Sequence, residues 1–254
     1  SITQTPLNEQ DLKTMSEAVE VLRQFKGFSY FTEMSDIINR LEDHVASARM
    51  KTTPVIDFEK NESLKGLDYL DTIYHAIVNE HPIQLKYRSF KARSANSFIF
   101  YPYLLKEYRN RWFVYGVRGN GRILQNLALD RIQSLEVLPQ EHYIKNTFFD
   151  PNTFFDDLVG VTKNSGSVAE KIGFKVAAAE APYIITKPIH RSQQVVERLA
   201  DGSVILEIEV VINHELERVF FGYAEGIQVL YPKTLVELMG RKLKKAAEQY
   251  THSK

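Results

Sequence analysis

The chain has no cysteine among its 254 residues, so disulfides, thiolate nucleophiles and thiolate metal ligands are all excluded. That fits a reducing compartment, and the expectation is a cytoplasmic protein. It has no apolar run long enough to span a bilayer. Its opening residues, SITQTPLNEQ, hold neither a basic n-region nor an apolar h-region. The seven histidines are scattered, with no HxH or HExxH pair, which argues against a metal centre. Asp156-Asp157, an adjacent carboxylate pair, could attract a cation, but such a loop pair reads more simply as solvated surface. There is no GxSxG nucleophile elbow, and the glycines of GVRGNG (116–121) lie between strands and open no helix. Repeats and low-complexity tracts are also lacking. These absences point away from an enzyme and from any cofactor.

Net charge is lacking too, since 32 Lys and Arg balance 32 Asp and Glu. The balance is uneven along the chain. Ser1 to Glu80 carries fourteen acidic and eight basic residues, a net of −6. Lys86 to Arg131 carries ten cations against only Glu107 and Asp130, a net of +8. A neutral chain with one basic segment implies a local anion site rather than general adhesion to nucleic acid.

Periodicity divides the chain. Residues 1–66 read as a helical connector: Asn8 can cap a helix carrying Leu12, Met15, Val19 and Leu22, a second amphipathic stretch follows Gly27, and Val55–Phe58 forms a short linker strand. Residues 67–145 open with a helix whose stripe is Leu67, Leu70, Ile73 and Ile77. After Pro82 the period changes to two, and five strands follow with no helix between them. Such a run predicts a small antiparallel barrel or a strongly bent sheet, with Gly119-Asn120-Gly121 as one hairpin turn. Residues 146–168 read as a linker. Residues 169–254 read as an α+β unit: strands over KIGFKVAAAEAPYI, the two arms around Asp201-Gly202 and GIQVLYP, and helices over HELERVFFGYA and TLVELMGRKLKKAAEQY.

Chemistry concentrates in the basic segment. Ten aromatics interleave with its ten cations, the pairing that nucleotide and nucleic-acid sites use, because guanidinium groups meet phosphates while rings stack on bases. The same composition also suits ordinary strands, which are aromatic-rich and protect their edges with Lys and Arg.

The order IQLKYRSF, FIFYPYLL, RWFVYG and LDRI resembles the WYL domain, a small Sm-like β-barrel of bacterial transcriptional regulators; Trp112-Phe113-Val114 stands where the naming tripeptide falls. The tail resembles the extension that follows such domains, and the helical start resembles the connector behind a winged helix-turn-helix. The resemblance implies an α+β protein that senses a nucleotide or single-stranded nucleic-acid effector at a basic-aromatic barrel surface. It further implies a homodimer, operator DNA read through an N-terminal winged helix absent from these residues, and no membrane partner. Carried over by position, the ligand residues are Tyr87, Ser89, Arg93, Tyr101, Gln125 and Arg131. Gln125 stands where the family commonly has an arginine and Leu127 where it commonly has a phenylalanine, so one guanidinium is replaced. Tyr87 reads equally as core, and Arg131 equally as a partner of Asp130. Two other readings remain: a single-stranded nucleic-acid-binding module with no transcriptional role, and a nucleotide-processing enzyme.

Overall fold

The computed structural model describes residues 65–119 and 121–251. The expected connector helices, the Val55–Phe58 strand and Asn120 of the predicted turn lie outside the described residues. The chain divides into two units, Ser1–Asn146 and Thr147–Lys254.

In the first unit a 3-10 turn, Leu67–Tyr69, leads into helix α1, Leu70–Val78. Leu67, Leu70, Ile73 and Ala76 are buried, the i, i+3 stripe that faces a core. The helix stops before Pro82: Asn79 N donates to His75 O, and Glu80 takes a left-handed conformation with φ 55°. Five strands follow: β1 (Ile83–Tyr87), β2 (Asn96–Tyr108), β3 (Arg111–Arg118), β4 (Leu124–Ala128) and β5 (Ile132–Val137). A second 3-10 turn, Leu129–Arg131, joins the last two. Alternation holds on β1, where Ile83 and Leu85 are fully buried and Lys86 faces solvent. It fails on β3, where Val114 to Val117 are buried consecutively. That strand is paired on both sides, and a Cβ at Gly116 would lie 2.1 Å from Tyr101 O, so backbone approaches it closely.

The sheet order is β4-β3-β2-β1-β5, antiparallel throughout, and no ladder joins β4 to β5 among the described residues. The expected Sm-like barrel is therefore not closed by hydrogen bonds. The sheet is nonetheless not flat. Four gaps of ~4.8 Å would hold the edge strands ~19 Å apart, whereas the 3-10 turn from Ala128 to Ile132 spans only ~8 Å at its short rise. The edges must curl towards each other. The turn itself occupies the seam, and it inserts Leu129, 1% exposed, into the core beside Leu85 and Phe100. Each such fully buried aliphatic contributes roughly 1.5–3 kcal/mol.

The second unit runs β6 (Glu170–Val176), α2 (Ala181–Thr186), β7 (Gln194–Arg198), β8 (Val204–Val210), α3 (His214–Gly222), β9 (Ile227–Tyr231) and α4 (Lys233–Thr251). Its strand order, β7-β8-β6-β9, makes a β-α-β-β-α-β unit in which each helix crossover skips one strand. Ile172, Phe174, Leu206, Ile208, Leu216 and Phe220 form the centre of its core. KIGFKVAAAEAPYI is a strand only to Val176; its end forms α2, with a proline in the first turn, where the missing N–H leaves no bond unmade. Residues 157–163 pack onto α3. Asn213 caps that helix by accepting from Leu216 N, and its amide donates to Val159 O and Thr162 O. Both units are α+β with antiparallel sheets. Among the described residues no helix is long and apolar enough to cross a membrane.

Candidate functional site

The end of β1 and the 3-10 turn after β4 are brought together by the sheet order. At Lys86/Tyr87 the β1–β5 register shifts: Lys86 pairs with Ser134 and Tyr87 with Ile132. Gln133 is skipped and becomes the bulged residue, which re-aims its side chain, as bulges beside functional sites commonly do. Beyond the bulge Arg88 N donates to Arg131 O at 3.1 Å, tying the loop to the turn. The loop then closes on itself through Ala92 N donating to Ser89 O at 2.9 Å, and Arg88 Nε donates to Ala92 O at 3.4 Å.

Between these segments lies a cavity of about 300 Å³ lined by Arg88, Ser89, Phe90, Asp130, Arg131, Ile132 and Gln133. Its wall carries more positive than negative charge. Asp130 is the one carboxylate of the lining, and it is shared: Arg111 Nε lies 3.3 Å from one oxygen, Arg131 Nε 3.9 Å from the other. The second distance is too long for a hydrogen bond. Arg131 Nε and Asp130 Oδ1 are buried without a hydrogen-bond partner. A buried guanidinium N–H with no acceptor is unfavourable by about 1–3 kcal/mol or more. The Arg131 side chain as a whole is 28% exposed and lines the cavity, so its charge is open to an anion there.

Two rings flank Arg131. Its guanidinium carbon lies 4.5 Å from the centroid of Phe90, a cation–π stack on a side chain that is 71% exposed. Tyr87 interacts with Arg131 through its hydroxyl. Burial pushes its hydroxyl above the ordinary tyrosine value, while Arg131 and the Ala128 backbone pull it back down. Gly66 supports the turn from below, with φ 83°; a Cβ there would stand 2.4 Å from the Leu129 carbonyl carbon. Only glycine fits both the conformation and the space.

Of the residues expected from sequence, Ser89 and Arg131 line the cavity and Tyr87 adjoins it through Arg131. Arg93 is exposed on the loop, and does not line it. Tyr101 packs edge-on against Tyr143, centroids 6.1 Å apart, in a group where Tyr143 donates from its hydroxyl to Pro102 O. Gln125 sits on β4 opposite Gly116. Arg88, Phe90 and Gln133 are lining residues that the sequence reading did not single out. Arg88 and Phe90 carried a signal, as a cation and a ring in YRSF; Gln133 carried none, because a bulge cannot be read from alternation. Among the described residues no group of three or more His, Asp or Glu is placed to hold a metal ion.

Residues 68–137 match the family model of the WYL domain, and residues 169–247 match that of the WCX domain. No curated protein matches the chain. Among solved structures, proteasome accessory factor B/C (PafBC) of Arthrobacter aurescens is 15% identical, with a TM-score of 0.31. The likeness covers 76% of this chain but 28% of that one, so the chain spans little more than a quarter of its length. A CRISPR Cas-related protein is 12% identical, covering 98% of this chain and 75% of that chain, with a TM-score of 0.47.

Proposed function

The chain belongs to the WYL-domain proteins, with a WCX domain following its WYL domain, and from that premise we propose that it is the ligand-sensing part of a bacterial transcriptional regulator. The effector is a nucleotide or a single-stranded nucleic acid, held at the cavity between the end of β1 and the Leu129–Arg131 turn. The curled five-stranded sheet is read as a small Sm-like barrel with an open seam. The protein is assigned to the cytoplasm, acts as a homodimer, and carries binding but no turnover; operator DNA is read through a separate winged helix.

One observation carries the reading: two guanidinium side chains, Arg88 and Arg131, line one cavity whose single carboxylate, Asp130, is shared with Arg111. A phosphate pairs with the accessible part of the Arg131 side chain, and Arg88 adds a second guanidinium. Sensing requires the effector to favour one arrangement of the regulator over another, typically by about 1–3 kcal/mol.

The test is equilibrium titration of the chain with nucleotides and short single-stranded oligonucleotides, repeated with Arg131→Ala. Saturable binding weakened at least about ten-fold by the substitution is expected for the loss of a charge-assisted bond. Equal affinity in wild type and variant moves the ligand elsewhere. Nucleotide turnover that survives Arg131→Ala contradicts the non-catalytic assignment.

A further inference from the structure

We propose that Phe90 is the base-stacking residue of this cavity, and that the site takes one nucleotide unit, with its base on the outer face of the Phe90 ring and its phosphate between Arg88 and Arg131. The inference rests on the anion-site reading above and gives it a chemical class.

The starting observation is the position of the ring. Phe90 is a large apolar side chain left 71% exposed at the mouth of a polar cavity. Tyr74, Val78 and Ile123 of this unit are exposed too, but of these four only Phe90 lines the cavity. Phe90 is held outward by the Ser89–Ala92 turn, which the Arg88 side chain braces through Ala92 O. One of its faces is already covered by the Arg131 guanidinium, 4.5 Å from the centroid. A ring fixed on one side by a cation and open to water on the other is a platform with a single free face. The guanidinium beneath also withdraws electron density from the ring, which favours stacking of an electron-rich heteroaromatic on its outer face.

Distance and volume set the size of the ligand. Phe90, Arg88 and Arg131 line the same cavity, so the planar group and the anion must belong to neighbouring parts of one molecule. A base and its own phosphate meet that condition, whereas a bare phosphate leaves the ring unused. The cavity, about 300 Å³, is at the small end for ligand sites and suits one nucleotide rather than several. A single strand would then engage through one nucleotide turned into the site. Asp130, 14% exposed, is held within the turn between Arg111 and Arg131.

The experiment is calorimetric titration of the chain with adenosine 5′-monophosphate, a short oligodeoxyadenylate and pyrophosphate, for wild type, Phe90→Ala, Phe90→Trp and Arg131→Ala. Phe90 is exposed, so its variants are expected to fold. The expected result is that Phe90→Ala weakens both adenine ligands by about ten-fold, the effect of one base stack, and leaves pyrophosphate unchanged. Phe90→Trp retains adenine binding, and its indole fluorescence is quenched on addition of the monophosphate. Arg131→Ala weakens all three. If Phe90→Ala weakens none of them, or weakens pyrophosphate equally, the stacking role is overturned while the anion site stands. If the wild type binds none of the three, the anion-site reading itself fails. Binding of the oligonucleotide alone overturns the single-nucleotide site.

Discussion

Arg131 has three neighbours. Asp130 offers it half of a shared carboxylate, Phe90 covers its face, the Tyr87 hydroxyl lies beside it, and its Nε has no hydrogen-bond partner. Tyr87 reports on this arrangement. Burial raises its pKa, and the neighbouring cation opposes that rise by favouring the phenolate. Arg131→Ala is therefore expected to move Tyr87 further upward in an NMR titration of ring-labelled tyrosine. An unchanged or lower value would show that the two side chains do not interact. Tyr103 provides a second titration signal: burial raises it to about 12 from an ordinary 10.0. Above about pH 10 the unfolded chain releases this proton while the folded chain holds it, so the unfolded state gains. Stability of the first unit is accordingly full below pH 10 and falls towards pH 12, as followed by chemical denaturation. Tyr103→Phe should shrink that loss, and an unchanged alkaline slope in the variant contradicts the assignment.

At the scale of elements, the site is made by a turn and a bulge rather than by a strand face, and this explains what the sequence could show. The helix Leu70–Val78, the strands of the first unit and the hairpin at Gly202 were legible because their buried residues recur at fixed periods. Tyr87, Ser89 and Arg131 were legible only by position within a family pattern. Gln133 was not legible, since the register shift that exposes it depends on pairing with a strand nearly fifty residues away. Tyr101 and Gln125 lie on β2 and β4, and the pairing of those strands with β3 fixes where they sit, which a linear reading cannot follow. Helix α2 escaped because six residues give too short a periodic signal and Ala177–Ala179 run into it without a break. The turn also depends on Gly66. Gly66→Ala adds a Cβ 2.4 Å from the Leu129 backbone at a positive φ, so the Leu129–Arg131 turn must move. A loss of roughly 1–3 kcal/mol in stability, together with weakened anion binding, is expected from denaturant and ligand titrations. Wild-type affinity in a destabilised variant would detach the turn from the site.

At the scale of the molecule, a chain with no net charge concentrates its cations in one segment. Residues 86–131 carry a net of +8, and both cations that line the cavity, Arg88 and Arg131, belong to that segment. Non-specific adhesion would spread phosphate contacts over that whole surface, whereas a built site confines them to Arg88 and Arg131. The two differ in how binding responds to salt, because each neutralised phosphate on a single strand contributes about 0.7 to the slope of log K against log salt. The most direct measurement is that slope for a short single-stranded oligonucleotide, in wild type and in Arg131→Ala. A built site gives a shallow slope of about one to two contacts, which falls by about one contact in the variant, with affinity lost at every salt concentration. A steep slope that Arg131→Ala leaves unchanged would mean that the basic surface as a whole, and not this cavity, holds the nucleic acid.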